Sequence, residues 1–150
     1  MKRILLCLLL FSAGSCDSTF RSSIPNSPVY LELDLTFEDK DLVAGMAYKV
    51  FTAPRKASEY IGFGGILVYH GLPDSRGDEY FAFDLACPFE ASRSVKVEVD
   101  EDHIYAICPK CQTKYELVYG IANPVSGTSK ESLKRYTLWK SGNNLFVRNN

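Results

Sequence analysis

The chain carries no excess of either charge. Its 17 Lys and Arg stand against 18 Asp and Glu, a net charge of −1, which removes the electrostatic footprint of a nucleic-acid-binding protein. It has no apolar run long enough to cross a bilayer as a permanent helix. No phosphate-binding loop is present, because Gly62-Phe63-Gly64-Gly65 is followed neither by Gly-Lys-Ser/Thr nor by a helical pattern. A nucleophile–base pair and a carboxylate dyad are also missing, so a stand-alone enzyme is not expected. Internal repeats and low-complexity tracts are absent from the body of the chain. What is there is a 150-residue sequence, 46% hydrophobic, the size of a single domain with an ordinary core. Nine Tyr, nine Phe and ten Gly suit a β-rich core better than a helical bundle.

The first residues have the layout of a secretory signal: Met1-Lys2-Arg3, an apolar run from Ile4 to Phe11, then Ser12-Ala13-Gly14-Ser15-Cys16. The small-small-Cys ending resembles the lipobox of bacterial lipoproteins, with Ala13 where Leu is commoner. That resemblance implies a signal peptide over 1–15 and lipidation of Cys16, which places the mature chain on a membrane of the bacterial cell envelope. Residues 16–28, rich in Ser and Pro, read as a lipid-anchored flexible tether. The folded domain is expected over 29–150.

Within that domain the strand signals are short and frequent. Val29 to Leu35 alternates with apolar residues at odd positions and predicts a half-buried strand. Leu42 to Phe51 is apolar and read as a strand, since Gly45 weakens a helix there. Ile66-Leu67-Val68-Tyr69-His70 is a continuous apolar run typical of a buried strand, and the glycines before it predict a bulge or close backbone approach. His70 reads as a surface or hydrogen-bonded histidine. The Arg76-Gly77-Asp78 tripeptide lies in a turn-rich loop and recurs too easily by chance to argue adhesion. Tyr80 to Ala86 is a strand that delivers Cys87. Lys114 to Tyr119 is a further strand, 123–129 a loop, and Leu133–Trp139 with Leu145–Val147 a hairpin across Ser141-Gly142-Asn143-Asn144. Together these predict an all-β antiparallel sandwich or small barrel.

The chemistry is concentrated between Cys87 and Cys111. Two loops, Cys87-Pro88-Phe89-Glu90 and Cys108-Pro109-Lys110-Cys111, flank a predicted hairpin of Val95–Val99 and Ile104–Ile107 turning at 100–103. A hairpin brings its ends together, so the three sulfurs are expected to converge. Five cysteines less Cys7 in the signal and Cys16 at the lipid leaves these three, an odd number for an exported domain.

The two loops, in this order, resemble those of the Rieske family, whose Cys-Pro-His and Cys-Pro-x-His-Gly loops hold a [2Fe–2S] cluster through two cysteines and two histidines. Cys87 and Cys108 fall on the family's cysteines and Pro88 and Pro109 on its prolines. Tyr115-Glu116 with Gly120 is similar to its aromatic-acidic-x-x-x-Gly strand. Pro124 matches the proline of the third loop that packs over the cluster, and 133–147 is similar to the closing hairpin. The resemblance covers most of 60–148 and implies a Rieske-like sandwich with a small cysteine-loop subdomain, rubredoxin- or zinc-ribbon-like, over about 85–126. Phe89 departs from it at the first histidine position and Cys111 at the second, while Gln112 replaces the glycine. A benzyl ring cannot ligate iron, so the usual cluster cannot be assembled from these residues.

Four uses of the cysteines stay open. Cys87, Glu90, Cys108 and Cys111 form two knuckles of a Cys3Glu zinc site. Alternatively, Cys87 bonds Cys108 or Cys111, a closure of about 20 residues contributing roughly 3 kcal/mol and leaving one thiol over. In a third reading Cys108 and Cys111 are a redox pair, although the Cys-x-x-Cys lies between strands. In the fourth they are small buried side chains. His103, at the hairpin tip, is a poor further ligand. The expectation is a non-catalytic envelope lipoprotein that binds or assembles with an envelope partner and holds no cofactor. The competing expectation is a metal-binding or electron-transfer protein with zinc or an iron–sulfur centre at Cys87, Cys108 and Cys111.

Overall fold

The computed structural model describes residues 22–72 and 79–149. The segment read as a signal peptide, Cys16 and the Arg76-Gly77-Asp78 loop lie outside the described residues. Among those described, the chain is all-β, with strands β1 (Val29–Asp34), β2 (Tyr48–Phe51), β3 (Tyr60–Ile61), β4 (Ile66–His70), β5 (Tyr80–Asp84), β6 (Glu98–Val99), β7 (Tyr105–Ile107), β8 (Lys114–Glu116), β9 (Pro124–Ser126), β10 (Arg135–Ser141) and β11 (Asn144–Arg148). A seven-stranded sheet runs β2-β4-β5-β10-β11-β1-β3, and a four-stranded sheet runs β6-β7-β8-β9. All pairings are antiparallel.

The larger sheet curls around a first core. Phe51 of β2 and Ile61 of β3, from opposite ends of the strand order, pack in one cluster with Leu31, Leu33, Ile66, Val68, Leu145 and Val147. β1 shows the expected alternation, burying 29, 31 and 33 while 30, 32 and 34 stay half-exposed. β4 and β5 instead bury every residue. The period of two explains this: Ile66, Val68, Tyr80 and Ala82 enter the first core. Leu67, Tyr69, Phe81 and Phe83 point the other way, into a second core shared with the small sheet. A strand covered on both faces has no polar position to offer, so its sequence loses the alternating pattern.

Several segments differ from the sequence reading. The apolar stretch 42–51 is not one strand: Lys40–Val43 forms a short 3-10 helix that plugs Leu42 into the core, and β2 begins only at Tyr48. A buried Asp39 sets this turn, accepting from the Asp34 amide at 3.0 Å and pairing with Lys49 at 2.8 Å and Arg55 at 3.0 Å. Met46, at φ 63°, then redirects the chain. The stretch 123–129, read as a loop, contains β9, which pairs with β8 across an irregular register. Residues 22–28, read as part of a tether, lie against the domain. Ile24 is buried, and Lys134 Nζ donates to Ile24 O and Pro25 O, each at 3.1 Å.

One buried carboxylate joins the strands that lead to the cysteines. Asp84, the last residue of β5, accepts from the amides of Phe63 (2.9 Å), Gly64 (3.0 Å) and Ala86 (2.8 Å) and from the Tyr136 hydroxyl (2.5 Å). This draws the glycine turn so close that a Cβ on Gly64 would stand 2.6 Å from Ala86 N, which is the close approach the glycines predicted. Asp84→Ala leaves all four donors, three of them buried, without their acceptor and is expected to cost about 3–5 kcal/mol, against about 1.5 kcal/mol for Tyr136→Phe, which removes one donor. Urea unfolding of both variants measures this, and an Asp84→Ala cost below that of Tyr136→Phe would show that the carboxylate is not the anchor.

Candidate metal centre

The first cysteine loop grows directly out of β5. Val97 N donates to Leu85 O at 2.8 Å, Ala86 bridges Lys96, and Cys87 N donates to Val95 O at 3.2 Å, so the chain from 87 to 95 closes on its own root. From there β6 pairs with β7, Glu98 opposite Ile107, which returns the chain to Cys108 beside that root. The hairpin therefore does what its sequence predicts. The ligand atoms of Cys87, Cys108 and Cys111 all lie within 4.8 Å of one another.

The two loops fold alike. Ala91 N donates to Cys87 O at 2.9 Å, and Gln112 N donates to Cys108 O at 3.0 Å. Both donors have positive φ, 45° at Ala91 and 58° at Gln112, in the region L-residues usually avoid. Each is thus a five-residue turn opened by a buried cysteine and closed by a left-handed residue. Cys87 and Cys108 are buried, and Cys111 is half-buried. All three are free thiols, the Sγ atoms of Cys87 and Cys111 standing 3.6 Å apart.

The surroundings make the thiols unequal. Burial pushes Cys108 up to about 11. For Cys111 burial also raises the value, but hydrogen bonds from the Thr113 hydroxyl, 3.2 Å from its sulfur, from the Thr113 backbone and from the Cys108 and Cys87 thiols together outweigh it and bring the thiol below its ordinary value. The Tyr115 hydroxyl lies 3.2 Å from Cys87 Sγ, and burial first, then its contact with Cys87, raises the phenol well above its usual range. Tyr115 therefore keeps its proton and can donate to a thiolate at Cys87.

Thr113 and Tyr115 were not named as site residues from the sequence, where Tyr115 had meaning only through the family resemblance. A hydroxyl two residues beyond a cysteine is too common a signal to have marked Thr113. Its Oγ1 also accepts from Thr128 N and Ser129 N, both at 3.0 Å, which fastens the segment after β9 beside the sulfurs. Gly127 packs so tightly there, at φ 100°, that a Cβ would come within 2.4 Å of Thr113 Cα. Pro124, matched by resemblance to a proline lying over a cluster, stands in β9 opposite Tyr115.

Glu90 is not in the converging group; its carboxylate accepts from Lys110 of the second loop in a short charged contact. Phe89 is 54% exposed on the rim. Neither histidine joins the sulfurs. His103 Nδ1 lies 3.1 Å from Met46 O with its ring edge-on to Tyr48, and His70 Nδ1 lies 3.0 Å from Ala44 O with its ring stacked on Tyr80. Three sulfurs with a phenol and an alcohol at hydrogen-bond range can bind a thiophilic cation. The residues that meet here supply no imidazole for iron.

Compared with known proteins, the sequence matches no protein-family model and no curated protein.

The inequality of the thiols has a direct readout. In the metal-free protein near neutral pH, iodoacetamide should modify Cys111 well before Cys87 or Cys108, because Cys111 is the most exposed of the three and its thiolate is the one favoured by its surroundings. Peptide mapping of a labelling time course checks this; equal rates at the three positions would contradict it.

Proposed function

We propose that the protein is a non-catalytic, membrane-anchored envelope lipoprotein whose Rieske-like domain holds one zinc ion through the thiolates of Cys87, Cys108 and Cys111. The ion pins the two cysteine loops together where the family's loops share a two-iron cluster. The observation that carries the reading is the spacing of the sulfurs. A disulfide needs about 2.05 Å between them, and Cys87 and Cys111 stand at 3.6 Å. A tetrahedron with zinc–sulfur bonds of about 2.3 Å has an edge of roughly 3.8 Å, close to that separation. All three thiols also fall within the compass of one ion, at 4.8 Å or less.

The same spacing argues against two irons. On the family alignment Cys87 takes a cysteine position and Cys111 a histidine position, and those ligands belong to different irons. Here they are a contacting pair, which suits a single centre. Zinc asks no redox chemistry of its ligands and favours thiolates in closed structural sites. The membrane anchor rests on the small-small-Cys ending at Cys16.

Metal analysis of the purified protein is expected to find about one zinc per chain with no visible absorption bands. Stripping the metal with a chelator under reducing conditions should cost about 3 kcal/mol or more, roughly 10 °C in Tm. A chain with neither zinc nor the capacity to take it up would remove the reading, and visible charge-transfer bands would replace it with an iron–sulfur centre. For the anchor, cells fed a labelled fatty acid should label the protein at Cys16. Cys16→Ser should abolish that label and release the protein from the membrane fraction; labelling that persists in the variant would place the lipid elsewhere or refute it.

A further inference from the structure

We infer that Glu90 is the fourth ligand of this ion, so that the two loops are equivalent knuckles, each giving the metal its first and its fourth residue. The inference rests on the zinc reading above and adds to it the donor that three sulfurs leave missing. It is carried by the likeness of the two turns. Superposed by their hydrogen bonds, Cys87 matches Cys108, Pro88 matches Pro109, and the left-handed Ala91 matches the left-handed Gln112. The position that supplies Cys111 in the second loop is then occupied by Glu90 in the first. Accessibility repeats at four of the five positions, only the prolines differing, with Pro88 buried and Pro109 exposed. The opening cysteine is buried in each loop, the third residue exposed, the fourth partly buried and the fifth exposed again. Backbone geometry thus turns Glu90 inward, as it turns Cys111.

The carboxylate stands outside the converging sulfurs but is withdrawn from solvent and tied to the second loop. Its side chain keeps only 8% of its accessible surface, and its oxygen Oε2 meets Lys110, the neighbour in sequence of Cys111. It therefore spans from the first loop to the second. A carboxylate has about four lone-pair sites on two oxygens, so Lys110 can remain on Oε2 while Oε1 turns to the metal. Ligating carboxylates characteristically keep such an outer hydrogen-bonding partner, which orients them. Charge favours the same arrangement. Three thiolates and a carboxylate around a divalent cation leave a net charge of −2, and the ammonium of Lys110 offsets part of it where solvent reaches the site.

Zinc X-ray absorption and chelator competition on the purified full chain test this. The native site should show three sulfurs at about 2.3 Å and one oxygen at about 2.0–2.2 Å. Glu90→Gln, which keeps shape and removes charge, should still bind one zinc but at least about tenfold more weakly. Glu90→Cys should convert the shell to four sulfurs and bind at least as tightly as the native chain. A Glu90→Cys protein that keeps three sulfurs and one oxygen, with Glu90→Gln binding zinc at native affinity, would assign the fourth position to water and overturn the inference while leaving the three-thiolate site standing. A native chain that takes up no zinc would remove both together.

Discussion

Two adjacent strands have to serve two cores at once, and the rest of the molecule follows from that. β4 and β5 have no solvent-facing side. One set of their side chains closes the curled sheet, and the other, led by Leu67, Tyr69, Phe81 and Phe83, must be covered by something else. The small sheet is that cover. It leaves the chain at the end of β5 and re-enters at β10, where Asp84 N donates to Lys134 O at 2.8 Å. The cysteine loops lie at the root of this excursion because both of its ends are tied to β5. Burial of apolar surface on both faces of one strand pair is the dominant driving force here. Everything polar near it is then obliged to find a partner, which Asp84 does with four donors.

The cysteines belong to that second core rather than standing apart from it. Cys87 and Cys108 pack with Leu85, Val97, Ala106, Tyr115 and Leu117. Tyr69, from the middle of β4, adds a polar tie by donating its hydroxyl to His103 O at 2.8 Å. The tip of the β6–β7 hairpin is thereby held to the large sheet, while the base of the hairpin holds the sulfurs. A short four-stranded sheet of two- and three-residue strands has little core of its own. A metal at its root would supply cohesion that its area cannot, and this is why small excursions of this kind benefit from a staple.

How much of this could be read from the residues alone depended on what each element packs against. β1 was legible because one of its faces is wet, and its alternation survives. β4 was legible as a buried run, though only the structure shows that the run means two cores. The hairpin between the loops and the closing hairpin of β10 and β11 were readable from their turns. β9 was not, because Pro124-Val125-Ser126 has a proline at its start and two exposed residues after it, the composition of a loop; it is a strand because β8 offers it an edge. The 3-10 helix at Lys40–Val43 was hidden for a similar reason. Its cause is a buried carboxylate at Asp39, whose partners Lys49 and Arg55 lie ten and sixteen residues on. At the site, the convergence of sulfurs was legible from hairpin geometry. The contacts of Thr113 and Tyr115 were not, since nothing local marks a hydroxyl that will point at a thiol.

The unequal thiols bear on why a metal suits this site better than a cross-link. A bond between Cys87 and Cys111 would leave Cys108, the thiol whose burial pushes it up to about 11, protonated and idle in the core. It would also draw together two sulfurs that the loops hold at 3.6 Å, against two turns already fixed by their own hydrogen bonds and left-handed residues. A divalent ion would work with that geometry instead. It can use all three sulfurs at their present spacing, and its charge supplies what Cys108 lacks, a reason to lose its proton. Cys111, with its ionised form favoured by Thr113 and the neighbouring thiols and its flank partly open to solvent, would offer such an ion its most accessible thiolate.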